Sequence, residues 1–191
     1  MHIKKIANKL TRGIIYSIFA VFLISTFSNA QDVSLGVKGD QTAFGNLKKV
    51  SQFGHVVFAD QPDKNTIGML KDNDIKLVLN IRAFNENEGY DEQKAVEAEG
   101  IAYIQVPYMK GRSINGEALD DILNIVYAAG KNGTKMMLHC THSERAGSVL
   151  GAALYRDLGF SKEDAGVMAK EAGLTSEFLT KIHNEYLDGL K

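Results

Sequence analysis

Four short apolar runs alternate with amphipathic stretches between residues 55 and 140, and this alternation leaves the chain few architectures. "HVVFA" (55–59), "KLVLNIR" (76–82), "IAYIQVPY" (101–108) and "TKMMLHC" (134–140) read as strands. The second is a continuous apolar run, the pattern of a strand covered on both faces. Between them, "NTIGMLKDND" reads as a helix started by Asn65 or Thr66 and closed by a left-handed Asn73. "GYDEQKAVEAEG" reads as a second helix. "NGEALDDILNIVYAAG" reads as a third, with Leu119, Ile122, Leu123 and Val126 on one face. Three further helical stretches follow, near 145–158, 161–171 and 175–189. Short loops between strand and helix force parallel pairing and right-handed crossovers. The expectation is an α/β fold, a parallel-stranded central sheet flanked by helices in three layers. Such sheets bind ligands beyond the carboxyl ends of their strands, and Cys140 stands at one of those ends.

The start of the chain reads differently. "MHIKKIANKLTR" is basic, "GIIYSIFAVFLISTF" is an apolar run of 15 residues, and "SNA" (28–30) has small residues at both ends. This is the three-part pattern of a signal peptide, expected to be cleaved after Ala30. A retained membrane anchor is the alternative, but the run falls short of the ~20 residues that a spanning helix needs. No later stretch is apolar and long enough to span. The expected organisation is a leader over 1–30, a loose lead-in over 31–50 and one domain over 51–191, secreted or periplasmic. Of the 191 residues, 161 would remain, enough for a single core. The whole-chain charge of −1 becomes −5, since the leader carries four basic and no acidic side chains. A mildly acidic domain without basic runs is a poor nucleic-acid binder. No His, Cys, Asp or Glu spacing suits a metal, and no cofactor motif is present.

Cys140 is the only cysteine, so it closes no internal disulfide. It is either a buried small apolar residue, half of an intermolecular bridge, or a reactive thiol. Its surroundings favour the last. From Cys140 to Arg145 the chain runs from a strand, through a tight loop, into a helix rich in small residues, "AGSVLGAAL". The first amides of a helix lack internal partners, and its dipole adds positive charge there. Such a junction cradles an anion, and Arg145 adds forked donors. Both features favour a thiolate, a nucleophile facing the central atom of a bound oxyanion. Cys140 and Arg145 are therefore the candidate catalytic residues. Thr141, His142, Ser143, Glu144 and Ala146 are the candidates to line the bound substrate.

"LHCTHSERAGSVLGAALYRDLGFSKEDAGVMAKEAGLT" resembles the cysteine loop and following helices of bacterial phosphatase-like domains of the beta-lactamase-hydrolase-like group. The loop of that group reads H-C-x-S-G-x-R, with four residues between Cys and Arg, and the group is related to the dual-specificity and tyrosine phosphatases. "HVVFADQPDKNTIGMLKDNDIKLVLNIR" is similar to that group's G-Q-P, helix and V-I-N-L-R stretch, and "GIAYIQVPY" to its next strand. The likeness runs over ~45–180 with its motifs in order. It implies a phosphatase-type α/β fold, Cys140 as nucleophile and Arg145 as oxyanion ligand. The implied substrate is a phosphorylated small molecule or phosphoprotein.

The departures matter as much. The group's loop glycine falls on Ser143, which costs roughly 1 kcal/mol if φ is positive there. Glu144 places a carboxylate beside the cradle and is expected to point to solvent near His142. Ala146 replaces a hydroxyl residue, with Ser148 two positions beyond it, and Asp60 replaces the glycine of G-Q-P. The loop "YMKGRSIN" lacks the aspartate that serves relatives as general acid. Glu117, Asp120 and Asp121 follow as helix-start acids. His142 is a candidate donor to substrate, His139 a residue that orients the loop, and Arg82 a structural ion-pair residue.

Three functions remain open on the sequence. The first is a phosphatase working through a phosphocysteine. The second is a rhodanese-like sulfurtransferase carrying a persulfide on Cys140, consistent with four residues between Cys and Arg. The third is a catalytically impaired anion or phosphopeptide binder.

Overall fold

The computed structural model describes residues 44–86 and 88–190. The expected leader, and most of the lead-in, lie outside them. Strand β1 (Val50–Phe53) precedes β2 (Val56–Ala59), α1 (Lys64–Leu70), β3 (Leu77–Asn80), α2 (Glu92–Ala98) and β4 (Ala102–Gln105). A short pair, β5 (Met109–Lys110) and β6 (Ser113–Ile114), leads to α3 (Gly116–Lys131) and β7 (Met136–His139). Helices α4 (Glu144–Arg156), α5 (Lys162–Glu171) and α6 (Glu177–Asp188) follow.

The main sheet has the order β1-β2-β7-β3-β4. β7 lies parallel between β2 and β3, with Met136 level with both Val56 and Leu77. β4 pairs parallel with β3. The four expected strands thus form the parallel body of the sheet, and the strand carrying the cysteine is its centre. One strand was not expected. β1 pairs antiparallel with β2, making the sheet mixed. Its sequence, "VSQF", is too polar to stand out, and only Ser51 of its four residues is buried. The two-residue turn holds Gly54 at φ +59, and glycine first in a two-residue hairpin turn was the available signal.

Alternation along the strands builds two cores. Val56, Phe58, Leu77, Leu79, Met136, Leu138 and Cys140 face a layer containing α3 and α4. Val57, Ala59, Val78 and Met137 face α1 and α2, which supply Ile67, Leu70 and Val96. Leu119, Ile122 and Leu123 of α3 are buried as their spacing requires, while Val126 is half-buried. Among the described residues no helix is long and apolar enough to cross a membrane.

Two local expectations are corrected. Helix α1 is capped by Asp63, whose Oδ1 accepts from Thr66 N at 2.8 Å, rather than by Asn65 or Thr66. The left-handed residue after it is Asp74 (φ +60); Asn73 instead donates from Nδ2 to Met69 O. The glycines of α4 face its neighbouring helices, not the sheet. A Cβ on Gly147 would lie 2.5 Å from Ala169 O, and one on Gly151 2.8 Å from Ala169 Cβ.

Candidate active site

β7 delivers Cys140 to the carboxyl end of the central strand, where neighbouring chain ends fix the loop that follows. Cys140 N donates to Ala59 O, and Ile81 N donates to His139 O at 3.1 Å. Gln61 N donates to Thr141 O, and Asp60 bridges His142. The turn into α4 is made by Ser143, at φ +63. The positive φ that the sequence left conditional is therefore real. Its strain of roughly 1 kcal/mol is offset by a bond from Ser143 Oγ to Ala172 O at 2.8 Å. The side chain fits because its neighbour is a glycine: a Cβ on Gly173 would sit 2.6 Å from Ser143 Cβ.

Cys140 is buried, 1% exposed, yet it does not stand among aliphatic groups alone. Burial works against the charge of Arg145, but Glu86 and the facing Cys140 sulfur hold the guanidinium more firmly protonated than usual. Cys140 and Arg145 bracket the loop that opens α4, and Arg145 bonds the Thr141 hydroxyl of that loop.

Glu86 is the functional residue that sequence reasoning missed. Arg145 Nη1 donates to Glu86 Oε1 at 2.6 Å, and Nη2 to Oε2 at 2.8 Å. Nη2 also donates to Thr141 Oγ1 at 2.9 Å, whose hydroxyl donates to Glu86 Oε2. The Ala83 amide donates to Glu86 Oε1. The Arg145 hydrogen bonds hold the Glu86 carboxyl far below its usual range, against burial, which raises it. Of the five N–H donors of a guanidinium, three are committed in these bonds, both of those on Nη2 among them. The only signal was a glutamate four residues after Arg82, in "NIRAFNE". Arg82 is the buried ion-pair residue expected of it: it meets Glu86 Oε2 at 3.3 Å, Glu88 and Gln61 Oε1.

The remaining candidates divide. Thr141 and Arg145 share the Glu86 carboxylate, and the exposed His142 side chain stands on the loop. The Glu144 side chain leaves the cradle and does not stand free in solvent beside His142. Its Oε2 accepts from the Thr175 and Ser176 amides, both at 2.8 Å, at the start of α6. These bonds outweigh its burial and lower its pKa. The methyl group of Ala146 is packed in the core. Ser148 is committed elsewhere, 2.8 Å from Tyr108 OH and 3.0 Å from His183 Nδ1. His139 is fully buried, with Nε2 3.1 Å from Glu92 Oε1 but too poorly aligned for a hydrogen bond. Burial disfavours the Glu92 charge, but His139 and surrounding donors prevail and lower its pKa.

The expected general-acid loop is the β5–β6 hairpin, tipped by Lys110, Gly111 and Arg112; Arg112 stacks 4.8 Å from the Phe178 ring. Asp60 turns its carboxylate back to the Lys48 and Lys49 amides, and Asp120 pairs with Arg156 at 2.6 Å. Among the described residues no three His, Cys, Asp or Glu side chains are placed to share a metal ion.

No protein-family model matches the sequence, and no curated protein matches it. Solved structures do match. A DUF442 protein from Shewanella putrefaciens CN-32 is 14% identical, covering 78% of this chain and 97% of that one at a TM-score of 0.60. P. aeruginosa TpbA in complex with phosphotyrosine is 15% identical, with 74% and 87% covered at 0.60. Kinase associated phosphatase, carrying serine for its catalytic cysteine, is 16% identical, with 71% and 86% covered at 0.61. The chain has the α/β fold of the cysteine-dependent dual-specificity and tyrosine phosphatases.

Proposed function

We propose that the chain is an exported, cysteine-dependent phosphatase that hydrolyses phosphate monoesters through a phosphocysteine on Cys140. The observation that carries this is Cys140 at the carboxyl end of the central strand, on a loop whose Arg145, in the first turn of α4, is held by Glu86 and Thr141. The phosphatase fold of the chain supports the same reading.

The sulfur attacks phosphorus from the side opposite the ester oxygen. The S–P bond forms as the P–O bond breaks, and the electron pair leaves on the departing oxygen. Loop amides and the Arg145 charge stabilise the non-bridging oxygens through the transition state. Water then attacks phosphorus, the S–P pair returns to sulfur, and inorganic phosphate is released. With lysine and arginine at the hairpin tip in place of an acid, a phenoxide that departs unprotonated and takes its proton from water is the fitting leaving group. Lost general-acid assistance typically costs 10²- to 10⁴-fold, most for alkyl esters. Glu86, ionised throughout, positions Arg145 rather than donating a proton.

The test is phosphate release from an aryl phosphate by the mature protein, Cys140→Ser and Arg145→Ala, beside thiosulfate:cyanide transfer. Release that both substitutions abolish supports the proposal. Sulfur transfer without phosphate release would assign a sulfurtransferase, and neither activity would leave an anion-binding module. Export predicts a mature chain beginning at Gln31, read by the mass of the protein recovered outside the cytoplasm. A product that retains the leader contradicts it.

A further inference from the structure

Glu92 opens α2, and a carboxylate in the first turn of a helix ordinarily serves the helix dipole from the surface. Glu92 is instead buried, 8% exposed. Asp91 beside it already caps the helix, its Oδ1 accepting from Lys94 N at 3.0 Å. Side chains from, or just beyond, all four parallel strands converge on the Glu92 carboxylate. Gln61, two residues past β2, donates from Nε2 to Oε1 at 2.9 Å. Asn80, the last residue of β3, donates from Nδ2 to Oε2 at 2.7 Å. The Tyr103 hydroxyl of β4 donates to Oε2 at 3.3 Å. His139, the last residue of β7, sets Nε2 3.1 Å from Oε1. A buried charge is tolerated only where partners of this kind replace its lost hydration.

Three of these partners lead directly into the cysteine site. His139 is bonded in the chain to Cys140. Gln61 donates from its backbone amide to Thr141 O on the cysteine loop. Asn80 uses its second side-chain atom, Oδ1, to accept from Arg82 N at 2.9 Å. Arg82 in turn meets Glu86 Oε2 at 3.3 Å, and Glu86 holds Arg145. One buried carboxylate therefore ties down the strand ends that carry both halves of the site, the cysteine loop on one side and the Glu86 turn on the other. We propose that Glu92 is a positioning residue of this site, fixing the cysteine loop and the Glu86 turn relative to each other without touching the substrate. This rests on the phosphatase reading and adds a residue to it.

The experiment measures anion binding apart from turnover. Mature protein carrying Cys140→Ser is titrated with inorganic phosphate, alone and with Glu92→Gln, Glu92→Asp or Asp91→Ala added. The same three changes are made with Cys140 present, and kcat/KM is measured on phenyl phosphate. Glu92→Gln keeps the shape but sets an N–H group against donors on one side of the carboxylate or the other. It should weaken phosphate about 3- to 10-fold and lower kcat/KM about 10- to 100-fold. Glu92→Asp keeps the charge and serves if Glu92→Gln does not fold. One methylene shorter, it cannot meet the donors on both sides and should give a smaller loss in the same direction. Asp91→Ala removes only the helix cap, so it should lower stability and leave phosphate affinity and kcat/KM of the folded protein unchanged. Glu92 variants that retain the parent's phosphate affinity overturn the proposal. So does an Asp91→Ala protein that matches their losses, since any damage to α2 would then suffice, and so does a parent that binds no phosphate. The expected binding pattern without turnover would sink the phosphatase reading and leave the role of Glu92 standing.

Discussion

At the scale of single residues, one carboxylate governs the site. Glu86 fixes Arg145 at two points and Thr141 at a third, so the guanidinium does not have to be ordered by each arriving substrate. Glu86→Gln keeps the shape but removes the charge. It should cut kcat/KM by about 10-fold or more while Cys140 stays present; each tenfold loss is about 1.4 kcal/mol of transition-state stabilisation. Unchanged kinetics would show that Arg145 orders itself. Cys140 and Arg145 were legible in the sequence because their chemistry requires a fixed spacing along one loop. Glu86 was not, because it is brought from a separate strand end, 59 residues away from Arg145, and nothing in "AFNE" records where that turn points. Glu144 misled for the related reason that a carboxylate's neighbours in sequence do not set its direction. Its partners are the free amides at the start of α6.

At the scale of elements, the helices behind the cradle are keyed to one another. Ser143 and Gly173 form a matched pair, a side chain in left-handed backbone against a residue without one. Gly173 itself holds φ +115. Gly173→Ala should destabilise the fold by about 2 kcal/mol or more, whereas Ser143→Gly exchanges relieved strain for a lost hydrogen bond and should stay within about 1 kcal/mol. Chemical denaturation of both variants and the double variant should be non-additive, with Ser143→Gly absorbing part of the alanine's cost. Strict additivity would deny the contact. Deeper in, Tyr108, Ser148 and His183 link the base of the hairpin to α4 and α6. Burial, then the charge of Lys162, lowers the His183 pKa from 6.5 to about 4. The unfolded chain therefore takes up the proton first. The contribution of neutral His183 is complete above about pH 6.5 and is lost as pH falls towards 4, about 3 kcal/mol in all. Stability measured across that window should fall, and His183→Asn should flatten the slope. An identical slope in the variant would assign it to other groups.

At the scale of the whole molecule, the central position of β7 explains why a lone thiol is set where it is. The strand lies between two parallel neighbours, so its carboxyl end opens onto the groove where flanking loops converge. β2, β3 and β7 could be read from apolar runs because they are buried along their whole length, and the half-exposed edge strand β4 from the apolar residues of "IAYIQVPY". β1 could not, because "VSQF" is too polar and too little buried to stand out. Hydrolysis by this route requires that phosphorus become bonded to the Cys140 sulfur. The most direct measurement is the mass of the Cys140 peptide after the mature protein is mixed with phenyl phosphate and quenched in acid within a turnover. One added phosphoryl group is expected on Cys140, absent from Cys140→Ser, which should also release no phosphate. An unmodified Cys140 together with phosphate release that survives Cys140→Ser would contradict it.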